Sequence, residues 1–533
     1  MHFPSFDLED PLYDAHGLRF SVQIVTLENV YGLDPRRTSA RLEGGDFAVR
    51  AAGLACAGQQ VTCDGKATIH LRADSPARVR FAVRARGPAP IRCVKLLLRD
   101  LPAPLRLVEE AGEREVSPYG EILQYPNRIP TPLVLARAGG AGLGVRVEDA
   151  EVREKRFALT TERTGALAGR AAIEVVLEED ATRHGRDFVS PAVVVEREPD
   201  PARFLEDHLR FLEGAYGLVP FAARPDVPAW ARELRLVLTL HGMHWTGRTF
   251  LDYGRMLEVL RFVAARIEGR RVLAYLPGFE GRYYWQYGEW RPEPRLGGEE
   301  GFAALCKGAR ELGVHLMPMF GGNCVNARLP RFADLDPRAY LKSATGNRFH
   351  GNQPDWDFAR AHDTGWQAWL NPGHPGFRGD LAGQIEGLAA RYGFDGVFLD
   401  TIHVFVNDPD HAVHAGTQAL VERLRGSIPD VLVAAEHDYD ALLACFPLFQ
   451  RSYWGRDPAW TARYALRFAH LCEGEPEGRT GVHEFGSFTP RADAPADRAA
   501  PGYLPTLAFQ DDTLARSRAA VEAAIAAAAG ARP

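Results

Sequence analysis

The sequence predicts a multidomain protein in which an N-terminal antiparallel β-sandwich is followed by a TIM (β/α)8 barrel. Three observations point there. The 533 residues exceed one ordinary domain. The first 200 residues hold short runs with an apolar residue at every second position. From Leu234 onward, apolar runs of four to seven residues alternate with amphipathic helical stretches.

The period-2 runs include ARVRFAVRAR (77–86), IRCVKLLLRD (91–100), AGLGVRVEDAEVREKRFALTTER (141–163) and AAIEVVLEE (171–179), separated by Gly, Pro and Asp. Many short alternating strands with turn residues between them fit a sandwich over 1–198. Residues 199–217 then read as one amphipathic helix, with Phe204, Leu205, His208, Leu209 and Leu212 on one face. The three prolines of 218–230 read as a linker, which sets the helix and linker at 199–230 and the barrel at 231–533.

In the barrel segment, strands are expected at 234–245, 271–279, 314–323, 396–399 and 431–440. Weaker strand candidates are 447–453, 480–488 and 503–509. Helices are expected at 253–269, 297–313, 376–393, 414–428 and 513–529. Wholly apolar strands alternating with helices imply a parallel sheet covered on both faces. Eight strands over about 300 residues match a TIM barrel. No GxGxxG or P-loop follows a strand, so an open nucleotide-binding sheet is disfavoured.

Composition excludes several classes. Net charge is -6 and no basic run occurs, so a nucleic-acid partner is not expected. No run of about 18 apolar residues suggests a membrane helix. The N-terminus MHFPSFDLEDPLYDAHG lacks a basic start and an apolar core, so a cytoplasmic location is expected. Seven cysteines without a CxxC pair argue against a disulfide framework or a structural zinc. No cofactor or metal is expected.

In a TIM barrel, chemistry sits at the C-terminal strand ends. GFDGVFLDTIH ends a strand on Asp400, with His403 beyond it, and LVAAEHD ends the next on Glu436 and His437. Neighbouring strands lie ~4.8 Å apart, so these acids can reach the ~5–5.5 Å separation of a retaining glycoside hydrolase. Asp400 is assigned as nucleophile, which needs donors that keep it ionised. Glu436 is assigned as acid/base, which needs surroundings that raise its pKa. His241, His244, Trp245, Glu280, Tyr284, Trp285, Asn323, Tyr453, Trp454 and Glu484, with His403 and His437, are the candidate substrate contacts. Aromatic rings stack on sugar faces while acids, amides and imidazoles bind hydroxyls. The expected partner is therefore an oligosaccharide or glycoside. Asp395 reads as a structural loop acid, and Cys324 as a buried small residue rather than a nucleophile.

GFDGVFLDTIH resembles the fourth-strand nucleophile motif of α-retaining glycoside hydrolases with α-amylase-like barrels, and LVAAEH is similar to their fifth-strand acid/base segment. ELGVHLMPMFGGN (311–323) and LNPGHPGFRGDLAGQI (370–385) resemble flanking segments of such barrels. The layout also resembles endo-α-N-acetylgalactosaminidase relatives and less characterised glycosidase-like families that carry a sandwich ahead of the barrel. The resemblance implies cleavage or transfer of an α-glycosidic bond with retention. It departs at Phe398, where α-amylases place an arginine, and at GVHEFG, the nearest match to their seventh-strand His-Asp pair. Starch specificity is therefore not implied. Three rivals stand beside it. One is an α-galactosidase-like barrel using another acid, for which only Arg451 and Asp457 follow the sixth strand. The second is a catalytically silent sugar-binding barrel. The third is a metal-dependent hydrolase using His241 and His244.

Overall fold

The period-2 runs of the first 200 residues pair into two antiparallel sheets. The computed structural model describes residues 11–530 apart from 44, 164, 245, 350–365, 451–457 and 470–501. It divides into two compact units: Met1–Leu218 with Asn407–Asp410, and Val219–Val406 with His411–Pro533.

In the first unit, one sheet is built around Ile91–Leu101, flanked by Leu18–Thr26 and Ala171–Glu178. The other is built around Arg78–Arg86, flanked by Lys66–Ala73 and Ala192–Arg197. Val79, Phe81, Val83 and Ala85 point inward between exposed or half-buried arginines and alanines, as alternation requires. Both sheets feed one core, where Phe20 of the first meets Phe81 of the second edge-on at 5.1 Å. The run 141–163 resolves into two strands, Ala141–Glu148 and Lys155–Thr161.

The helix that follows spans Pro201–Tyr216. Asp200 caps it by accepting the Arg203 N–H at 2.8 Å, and Gly217, at φ +65°, ends it in the left-handed conformation. His208 is buried on its inner face, 2.7 Å from the Thr131 hydroxyl. Burial, aided by the charges of Arg146 and Lys155, pushes its imidazole down to about 3. The folded state therefore holds His208 neutral where the unfolded chain would protonate it. Its contribution is complete above about pH 6.5 and is lost as pH falls toward 3, at about 1.4 kcal/mol per pH unit. Urea midpoints measured across that window should fall more gently with acid in His208→Gln than in the wild type.

Among the described residues the second unit holds eight parallel strands: β1 Leu236–Leu240, β2 Val272–Leu276, β3 His315–Gly321, β4 Gly396–Asp400, β5 Leu432–Glu436, β6 Leu448–Gln450, β7 Leu466–Phe468 and β8 Thr506–Phe509. Their order is 7-6-5-4-3-2-1-8. An isolated parallel bridge, Arg467↔Tyr503, brings β7 beside the residues leading into β8, so the ring is nearly closed. Most strand residues are buried, which is why they read as continuous apolar runs rather than alternating ones. The seventh strand of the described sheet is three residues of LRF, too short to show a period; the candidate at 480–488 lies outside the described residues. No described helix is long and apolar enough to cross a membrane.

The proline-rich stretch before β1 is packed into this unit. Arg224 is 4% exposed and its guanidinium donates to the carbonyls of Leu443, Ala444, Phe446 and Tyr464. It also forms a two-pronged pair with Asp226 at 2.9 and 2.7 Å. Burial alone would raise the Asp226 carboxyl, but Arg224 and Arg425 hold it below its ordinary value.

Candidate active site at the strand ends

β4 and β5 run in parallel register, with Leu399 beside Ala435, so Asp400 and Glu436 leave neighbouring strands at the same level. Glu436 is the neighbouring charge that acts on Asp400. Asp400 is buried, and the Tyr287 hydroxyl donates to its Oδ2 at 2.6 Å. Its carboxyl is held well above the usual range, first by burial and then by the negative charge of Glu436. The Tyr287 hydroxyl and the Thr401 N–H pull the other way. Two neighbouring carboxyl groups disfavour each other's ionisation, which is the second cause of the upward shift at Asp400.

The surroundings of the two acids differ from those expected. His403, expected beside Asp400, instead faces Glu436, with Nδ1 3.6 Å from Oε2. His437 Nε2 lies 3.5 Å from Oε1, and the Thr401 N–H donates to Oε2 at 3.1 Å. Glu436 thus sits among imidazoles and a backbone donor, not on an apolar surface. The cause is backbone conformation. Thr401 and His437, the residues after each acid, both adopt positive φ, +60° and +46°. Successive strand residues normally face opposite sides; a left-handed residue turns the chain back. For a β-branched threonine this conformation is strained, and such strain concentrates at functional sites. The Thr401 hydroxyl is tied down by Asn323 Oδ1 at 2.7 Å.

Glu280 is also brought here. It is 1% exposed, and neither carboxyl oxygen finds a hydrogen-bond partner among the described residues. Burial, with Asp400 and Glu293 nearby, pushes its carboxyl well above the usual carboxylate range. Asn323 is fully buried, with its amide nitrogen unpartnered among the described residues. Tyr284 packs against Tyr287 at 5.2 Å, itself at positive φ. Trp285 packs on Trp366 at 5.2 Å and lies under the Arg282 guanidinium. Asn326 secures this aromatic loop through the carbonyl of Trp285 and by donating its own N–H to that of Tyr287.

His241 and His244 are buried in an aromatic cluster with Phe250 and Tyr283, their ring centres 6.3 Å apart. They do not fall within a metal-sized group of ligand atoms among the described residues. Trp245, Tyr453, Trp454 and Glu484, with Arg451 and Asp457, lie outside the described residues. Asp395 accepts the Leu316 N–H and meets His315 Nδ1 at 2.6 Å at the opposite strand ends, a structural role. Burial raises the Cys324 thiol, which keeps it protonated and unreactive.

The sequence reading missed Tyr287, Thr401 and Gln450. Tyr287 belongs to the aromatic run 278–290, and nothing local marks which of its rings meets Asp400. Thr401 carried a signal only in its place after the acid. Gln450 ends β6 directly beside Glu436 in register, with its amide nitrogen unpartnered among the described residues. A glutamine closing an apolar run was the cue.

No protein-family model matches the chain, nor does any curated protein. Solved structures do. The α-N-acetylgalactosaminidase NagBb from Bifidobacterium bifidum matches in its GalNAc complex with a TM-score of 0.62 at 12% identity, over 97% of this chain and 90% of that one. Its ligand-free form matches at 0.60 and 13%, over 97% and 93%. The GH36 α-galactosidase AgaA from Geobacillus stearothermophilus matches at 0.52 and 13%, over 96% of this chain and 75% of its own. At such identities the likeness is one of fold: antiparallel sheets followed by a parallel barrel.

Proposed function

We propose that this protein is a retaining glycoside hydrolase acting on α-linked galactosides or N-acetylgalactosaminides. One observation carries the proposal: Asp400 and Glu436 end neighbouring strands in register, with the charge of Glu436 acting on the buried Asp400, beside an aromatic loop. A retaining mechanism needs one carboxylate to attack the anomeric carbon and one carboxylic acid to protonate the departing oxygen. Asp400 is the attacking group. The Tyr287 hydroxyl and the Thr401 N–H favour its ionised form against the effect of burial, and Tyr287 fixes its direction. Glu436 is the acid/base. It is less enclosed, and the two imidazoles beside it connect it to solvent protons between the two half-reactions. The buried carboxyl of Glu280 and the amide of Asn323 are the polar groups placed to select among sugar hydroxyls. The catalytic segment is 231–533, and the antiparallel sheets of 1–198 form a sandwich beside it in sequence. The fold likeness to α-galactosidase and α-N-acetylgalactosaminidase structures supports the choice of sugar.

The test is hydrolysis of aryl α- and β-glycosides of galactose and N-acetylgalactosamine, with the first-formed anomer followed by NMR. Release of the α-anomer from an α-glycoside is expected. Inversion, or turnover of β-glycosides alone, would overturn the reading.

A further inference from the structure

Glu436 has two imidazole neighbours, and the geometry of the three is more specific than an ion pair requires. His403, Glu436 and His437 each offer one ligand atom, and these atoms lie within 4.8 Å of one another. His403 Nδ1 is 3.6 Å from Glu436 Oε2, and His437 Nε2 is 3.5 Å from Oε1. In a tetrahedral zinc site with bonds of about 2.0–2.1 Å, ligand atoms sit about 3.3–3.4 Å apart. The two imidazoles face different oxygens of the carboxylate, so closing all three ligand atoms onto one ion takes a contraction of up to about 1.4 Å, within reach of side-chain rotation. The two rings meet edge-on, their planes 82° apart and centres 4.4 Å apart, so they approach the carboxylate from different directions. Two further features build the arrangement. The left-handed turn at His437 puts its ring on the same side as the residue before it. The Thr401 N–H holds Oε2 in place, the kind of outer hydrogen bond that orients a ligating carboxylate.

We propose that His403, Glu436 and His437 form a zinc-binding site, with a fourth position left to water. Two imidazoles and one carboxylate suit zinc. Calcium and magnesium prefer sets made wholly of oxygen. Zinc here takes the lone pair with which Glu436 would hold a proton. The metal therefore acts as a reversible brake on hydrolysis rather than as a reactant; this consequence, unlike the binding itself, rests on the acid/base role proposed above.

Binding is read without substrate. After treatment with a chelator and its removal, the full chain is titrated with zinc chloride by calorimetry. One equivalent per chain is expected, with affinity at least about a hundredfold weaker in His403→Ala and in His437→Ala. No binding by the wild type, or equal binding by both variants, overturns the site. Cobalt(II) gives a second reading that needs no variant. Intense visible absorption from a four-coordinate site is expected, and only the weak bands of the hydrated ion would overturn it. Activity is measured separately. Zinc should suppress hydrolysis and chelator restore it, and undiminished turnover at saturating zinc overturns the brake. A protein that binds zinc at these residues but cleaves no glycoside sinks the hydrolase reading and leaves the metal site standing.

Discussion

Asp400→Asn should lower turnover of an aryl α-glycoside by about a thousandfold, equivalent to about 4 kcal/mol of transition-state stabilisation. The amide keeps the shape of the carboxyl and can still meet the Tyr287 hydroxyl. It cannot form the covalent glycosyl intermediate. Truncation variants separate the roles of the two acids. With Asp400→Ala, added azide should attack the anomeric carbon directly, breaking the bond to the leaving oxygen and yielding the β-glycosyl azide. With Glu436→Ala, the first half-reaction survives for a good leaving group. Azide should then displace Asp400 and yield the α-glycosyl azide. Exchanged products would reverse the assignment. Unchanged turnover by Asp400→Asn would exclude the nucleophile role, and no turnover by the wild type on a broad panel of glycosides would favour a barrel that binds sugars without cleaving them.

The largest stability effect is expected at Arg224. Its guanidinium satisfies four backbone carbonyls around 443–464 from a buried position. Arg224→Ala leaves those carbonyls without their donor in a place water does not reach. Asp226 retains its other partner, Arg425, at 2.6 Å, so the loss falls on the carbonyls rather than on an abandoned charge. Orphaned buried acceptors cost about 1–3 kcal/mol each, and buried networks of this kind typically cost about 3–5 kcal/mol when one member is removed. Urea unfolding should show that loss. Arg224→Lys should recover only part of it, because an ammonium lacks the planar fork that serves Asp226 and the carbonyls together. A midpoint shift within the error of the measurement would mean that the carbonyls find other donors.

How much of this was legible beforehand follows from the range of each interaction. Strands β1 to β5 were readable because each is a continuous apolar run closed by a polar residue, and burial on both faces imposes that pattern. The pairing of Asp400 with Glu436 was readable for the same reason: consecutive strand ends are neighbours in a barrel. The three-residue β7 was not, since no period shows in LRF. The environments of the two acids were not readable either. They depend on left-handed turns at Thr401 and His437, and neither residue type announces that conformation. Tyr287 reaches Asp400 across 113 residues, a distance over which sequence pattern carries no information. Arg224 looked like part of a solvated linker because its partners are backbone carbonyls, which leave no trace in side-chain pattern.

The parallel pairing of β1 with β8 has a consequence for a growing or truncated polypeptide. Leu236–Leu240 is among the first barrel segments to leave the ribosome, yet one of its two edges is satisfied only by Thr506–Phe509, near the end of the chain. Until then that edge is a row of open backbone donors and acceptors on an apolar ribbon, a template for pairing with another molecule. Chains stopped short of residue 506 would thus be poor fragments to express, prone to clump through an unsealed seam rather than to persist as smaller working barrels.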